Sequence, residues 1–171
     1  MPTIKDAVRI AQTLLTCPPI ESVEIFGSVA REGRGEDLDI IVIVPDLIAA
    51  SFVVAKRNEA DFRKHRNEER QTSFIMNEAM GFDDDGLGPP STDDGLWRGL
   101  LREALEPFAD DIIHKLDTEG IESLDIFVFP PNWKQRLPVL QNLLPHKDPK
   151  FMENIAADAK VFNPATHTFG A

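Results

Sequence analysis

The sequence predicts a single α/β domain, a mixed β-sheet flanked by helices with a helical elaboration in the middle of the chain. Three observations carry this. The runs Ile20–Phe26, Asp37–Val44 and 121–129 are short, rich in β-branched and aromatic residues, and bounded by glycine or proline. Helical periodicity separates them, first over residues 5–16 and again through the long middle. A chain of 171 residues with 42% hydrophobic composition supplies one core and is short for two. The domain is expected over 1–162, including a long insertion around 46–119, with 163–171 as a C-terminal tail.

In chain order, Lys5–Thr16 puts Val8, Ala11 and Leu15 on one helical stripe, with Ile4 just ahead and Lys5, Asp6, Arg9 and Gln12 on the wet side. Thr3 is placed to cap this helix and Pro18-Pro19 to stop it. The strand Ile20–Phe26 runs directly into Gly27. Beyond a glycine-containing connection, Leu38, Ile40, Val42 and Val44 alternate with Asp37, Asp39, Ile41 and Ile43. Apolar residues on both faces beyond Asp39 predict a central strand covered on both sides, closed by Pro45. Residues 47–79 are helical in propensity, apolar at first and strongly charged over 56–71. Residues 81–95 are turn-rich and acidic, the pattern of an exposed loop. Helical spacing returns over Leu96–Leu116, with Pro107 as a kink or a first-turn residue. The strand over 121–129 follows, and a last helix is expected over Asp148–Val161, starting at Pro149.

Asp37 and Asp39 sit at the mouth of an otherwise apolar strand. On a strand they point to the same side, where two carboxylates repel and are expensive to bury without a cation. The arrangement asks for a metal ion; the plainer reading is a strand end that the two aspartates solvate. The preceding loop bears on that choice. Gly27 permits close approach of backbone to phosphate, Ser28 and neighbouring N–H groups offer donors, and Gly33 and Gly35 let the chain turn back into the aspartate strand. Arg31 and Arg34 lie in this loop as charge-assisted clamps for phosphate or, equally, as solvent-exposed side chains.

Gly27-Ser28, eight intervening residues, then Asp37-Leu38-Asp39, with a strand on each side, is a specific combined pattern. It resembles the minimal nucleotidyltransferase family within the polymerase beta-like nucleotidyltransferase superfamily. The likeness is clear over 20–44 and extends to 121–129. Two departures stand in it: Glu36 replaces the serine usual before the first aspartate, and the Gly-Ser to Asp spacing is somewhat short.

In that family two metal-binding aspartates on one strand are joined by a third carboxylate from a later strand. The resemblance implies Asp125 as the third, with Glu122 as its rival nearer the strand entrance. It further implies Asp37, Asp39 and Asp125 as catalytic residues and metal ligands, with Gly27, Ser28, Arg31 and Arg34 binding nucleotide. The implied ion is Mg2+, with Mn2+ able to satisfy the same oxygen ligands. The implied reaction is transfer of a nucleoside monophosphate from a nucleoside triphosphate, ATP foremost, to a hydroxyl of a protein or small molecule, releasing pyrophosphate. A cognate toxin is one such protein acceptor in the family. The alternative is a non-catalytic nucleotide-binding or antitoxin-like protein-interaction module.

The formal net charge of −11 and pI near 4.7 disfavour long nucleic acid as a partner. The basic residues between Lys56 and Arg70 are interrupted by Glu59, Asp61, Glu68 and Glu69, which reads as a salt-bridged wet helix. His65, His114, His146 and His167 make no zinc signature, and Trp97 and Trp133 read as packing anchors. Cys17 is the only cysteine, so no intrachain disulfide is possible. No stretch is long and apolar enough to span a bilayer, and the chain opens straight into charged helical periodicity; a cytoplasmic protein is expected.

Overall fold

A computed structural model describes residues 1–45, 101, 105, 107–143 and 148–170. The elements are α1 (Ile4–Leu14), β1 (Ser22–Phe26), α2 (Gly27–Glu32), β2 (Leu38–Ile43), α3 (Ala109–Lys115), β3 (Leu124–Phe129), a 3-10 turn (Trp133–Gln135), α4 (Leu137–Leu143), α5 (Phe151–Asp158), β4 (Lys160–Asn163) and β5 (Thr168–Gly170). The described strands form a five-stranded mixed sheet in the order β3-β2-β1-β4-β5. Among them β2 and β3 run parallel, and the other neighbouring pairs are antiparallel. No helix among the described residues is long and apolar enough to cross a membrane.

The alternation read in the central strand decides the layers. Leu38, Ile40 and Val42 join Val23, Ile25, Ile126 and Val128 in a core shared with α1, α2 and α3. Ile41 and Ile43 face the other way, with Phe26, Phe127 and Phe129, against Trp133, Leu140 of α4, and Met152 and Ile155 of α5. Burying each such aliphatic or aromatic side chain contributes about 1.5–3 kcal/mol, so both faces of β2 add to its stability. Phe127 and Phe151, 5.7 Å apart, and Phe26 and Phe151, edge-on at 6.2 Å, fix α5 against the second face.

Several sequence expectations are corrected in detail. The buried stripe of α1 is Ala7, Ile10, Ala11 and Leu14, leaving Val8 and Leu15 only partly buried beside it. Ile10 and Leu14 supply the larger buried side chains of that face, with the small Ala7 and Ala11 beside them. The last helix ends at Asp158, and the expected tail over 163–171 is instead largely a β-hairpin: Phe162 pairs with Phe169 and Asn163 with Thr168. Phe162 is buried in the first core, which is why this segment is held to the sheet. Pro107 lies in the turn before α3. The helix expected over 47–79, the acidic loop over 81–95 and the part of the expected Leu96–Leu116 helix that precedes Pro107 lie outside the described residues except at Leu101 and Leu105, both buried in the first core. Cys17 is a buried small hydrophobe, as its neighbours imply; burial, with the charge of Asp111, pushes its thiol pKa up.

Candidate functional site

β1 passes into α2 with no intervening residue, because Gly27 takes a φ of +75° directly after the extended Phe26. A side chain would be strained there and would also meet another residue: a Cβ on Gly27 would lie 2.7 Å from Oδ2 of Asp39. The register explains the approach, since Phe26 is the partner of Asp39 across the β1–β2 ladder. On the other side of β2, Asp39 is the register partner of Asp125. Both project to the same face as Phe127 and Ile41, at the sheet end where β1 turns into α2.

Neighbouring strands lie about 4.8 Å apart, so residues in direct register on β2 and β3 carry their side chains next to each other on one face of the sheet. Asp39 and Asp125 are both partly buried. Asp37 departs from expectation. It lies in a bend before β2 and is exposed; β2 begins at Leu38 because β1 has already become helix and offers no partner to an earlier residue. Among the described residues, no three His, Cys, Asp or Glu side chains are gathered closely enough to hold a metal ion as they stand. Glu122, the rival of Asp125, is exposed ahead of β3.

The return from α2 to β2 is tightly held. Gly33 ends α2 in the left-handed region, with φ +79°. Its carbonyl accepts the Ile4 N–H at 2.9 Å, Gly35 donates its N–H to the Pro2 carbonyl at 3.1 Å, and Thr3 and Arg34 form a β-bridge. A Cβ on Gly35 would stand 1.9 Å from the Ser28 hydroxyl oxygen. The start of α1 is itself anchored: the N–H and hydroxyl of Thr3 each donate to the Asp6 carboxylate at 2.8 Å. Burial works to raise the Asp6 pKa, but these bonds and the Arg9 charge together outweigh it and hold the carboxyl below its usual range.

The two arginines of the loop separate. Arg31 forms an ion pair with Asp158 of α5, tying α2 to α5, and Lys160 donates to the Ala30 carbonyl beside it. Arg34 is exposed. A buried charge escaped the sequence reading: Glu24 of β1 lies on the second face, where Trp133 Nε1 donates to its Oε1 at 3.2 Å and Lys134 Nζ stands 3.9 Å from its Oε2. Its sequence signal was a carboxylate two residues before Phe26 on the same strand face. An open groove of ≈ 440 Å³ between α1 and the hairpin, lined by Ile4, Lys5, Val8, His167, Thr168 and Phe169, shares no residue with the aspartate pair. Comparison with known protein families, curated proteins and solved structures gives no match to this chain.

Proposed function

We propose that this chain is a metal-dependent nucleotidyltransferase that moves a nucleoside monophosphate from a nucleoside triphosphate, ATP foremost, to a hydroxyl on a protein or small molecule. The observation that carries this reading is the lateral register of Asp39 and Asp125 beside Gly27. Two carboxylates on adjacent strands, next to a backbone stretch stripped of side chain, suit oxygen ligation of a hard cation together with triphosphate. In this reading Asp39 and Asp125 would hold Mg2+ or Mn2+ together with triphosphate oxygens, and Asp37, exposed in the bend and not gathered with them, would have to turn inward to join. When bound with the triphosphate, the ion supplies positive charge against the charge developing on the entering and leaving oxygens.

The remaining roles fall to the chain's own groups. Asp125 accepts the proton of the acceptor hydroxyl, whose oxygen forms a bond to the α-phosphorus. The bond from that phosphorus to the bridging oxygen breaks, and pyrophosphate leaves with the electron pair. Gly27 and Ser28 orient the leaving phosphates, holding attack and departure in line. Because Arg31 is engaged with Asp158, Arg34 takes the part of the phosphate clamp. A protein acceptor is favoured over long nucleic acid by the excess of 29 acidic over 18 basic residues. The chain has no tyrosine, so a nucleotide found on tyrosine after reaction marks the acceptor and not self-modification.

The exposed position of Asp37 favours a second reading, a non-catalytic nucleotide-binding or antitoxin-like module. Calorimetric titration of ATP with magnesium and with chelator tests the site common to both. Magnesium-dependent binding that is lost in Asp39→Asn and in Asp125→Asn supports it. Binding indifferent to magnesium and to both substitutions removes it, as does no binding at all. Pyrophosphate release then separates enzyme from module.

A further inference from the structure

Gly35 has no role in the pattern Gly27-Ser28, Asp37-Leu38-Asp39, yet its surroundings leave no room for a side chain. An ideal Cβ there would fall 1.9 Å from Ser28 Oγ, 2.9 Å from Ser28 Cβ and 3.3 Å from the Asp37 carbonyl oxygen. Rotating Ser28 about χ1 would relieve the first contact and leave the second, so the loop backbone would also have to move. The Ser28 hydroxyl thus occupies the space that any other residue at 35 would claim. From outside, the loop is pinned by the start of the chain through Gly35 N–H to Pro2 carbonyl, Ile4 N–H to Gly33 carbonyl, and the Thr3–Arg34 bridge. α1 carries that restraint into the core through Ala7, Ile10 and Leu14.

We propose that Gly35 is a positioning residue: by lacking a side chain and being held by the Pro2 carbonyl, it sets the Ser28 hydroxyl in the orientation that receives the triphosphate. This rests on the nucleotidyltransferase reading for the ligand, while the steric pairing of residues 28 and 35 stands on the geometry alone. Substituting Gly35 with alanine turns Ser28 away and shifts the turn leading to Asp37. Nucleotide affinity falls because the Ser28 hydroxyl is displaced, and the fold weakens because the loop backbone has to move to clear Ser28 Cβ.

The test compares wild type, Gly35→Ala, Ser28→Gly and the double variant in the full chain, by calorimetry with ATP and magnesium and by thermal unfolding. Gly35→Ala and Ser28→Gly should each weaken ATP binding about tenfold, the equivalent of one hydrogen bond to a charged group, and the double variant by the same factor. Additive losses, about a hundredfold in the double variant, would overturn the proposal, as would wild-type affinity in Gly35→Ala. In unfolding, Gly35→Ala should lower the melting temperature when Ser28 is present and much less when it is combined with Ser28→Gly. If the wild type binds no ATP, the nucleotidyltransferase reading and the proposed role in triphosphate binding both fail. The unfolding cycle then decides the steric pairing by itself, and equal effects of Gly35→Ala with and without Ser28→Gly refute that too.

Discussion

Replacing Gly27 with alanine probes the site geometry without assuming any reaction. Two penalties are expected. The first is the positive φ of +75°, worth about 1–2 kcal/mol for a residue bearing a Cβ. The second is the approach of that Cβ to Asp39 Oδ2 at 2.7 Å, which a carboxylate relieves by leaving its rotamer at about 0.5–1.5 kcal/mol. Gly33 is the internal control, with φ +79° and nothing within 4 Å of its notional Cβ. The gain from a stiffer unfolded chain, about 0.4–1 kcal/mol, applies to both substitutions and drops out of their difference. Urea unfolding should therefore show Gly27→Ala less stable than Gly33→Ala by about 0.5–1.5 kcal/mol, and that excess should disappear when each is combined with Asp39→Ala. Equal losses at the two glycines, with no coupling to Asp39, would refute the contact between the Gly27 backbone and the Asp39 carboxylate.

Three further outcomes follow from packing and charge. Phe127→Ala removes a ring buried to 1% exposure and should cost about 3–5 kcal/mol in chemical denaturation; a loss under about 1 kcal/mol would show that the second face is not a packed core. Trp133→Phe withdraws the indole donor from buried Glu24 and should cost about 1–3 kcal/mol, with Glu24→Gln, which keeps an acceptor for the indole, nearer neutral. Thr3→Ala should cost about 1 kcal/mol at neutral pH. The native Asp6 pKa is depressed, so its contribution is present above the unfolded value of about 3.9 and is lost as pH falls through the lower native value. The gap between Thr3→Ala and wild type should accordingly narrow in acid; a gap that widens would reverse the sign of this linkage.

The central strand was legible because its alternation is strict: Leu38, Ile40 and Val42 bury in one core and Ile41 and Ile43 in the other. The same alternation puts Asp125 beside Asp39 once β2 and β3 pair in parallel. Asp37 was misplaced because strand pattern alone continues through it, whereas the ladder requires a partner, and β1 has turned into α2 by then. The hairpin was missed for a different reason. β4 and β5 span only Lys160–Asn163 and Thr168–Gly170, too short for periodicity to register, although Asn163-Pro164 is a turn signal between them. The restraint of Gly35 by Pro2 had no local signal at all, since it joins residues whose approach depends on how α1 lies on the sheet.

Metal-dependent nucleotidyl transfer at Asp39 and Asp125 is put to the sharpest test by intact-mass analysis of its products. Purified protein is incubated with labelled nucleoside triphosphate and magnesium in host lysate, and both the protein and small-molecule fractions are weighed. Transfer at this site should give a nucleoside monophosphate adduct on an acceptor hydroxyl with stoichiometric pyrophosphate, abolished by chelator and by Asp39→Asn or Asp125→Asn. Nucleotide binding without any magnesium-dependent pyrophosphate release, or transfer that survives loss of both carboxylates, would contradict it.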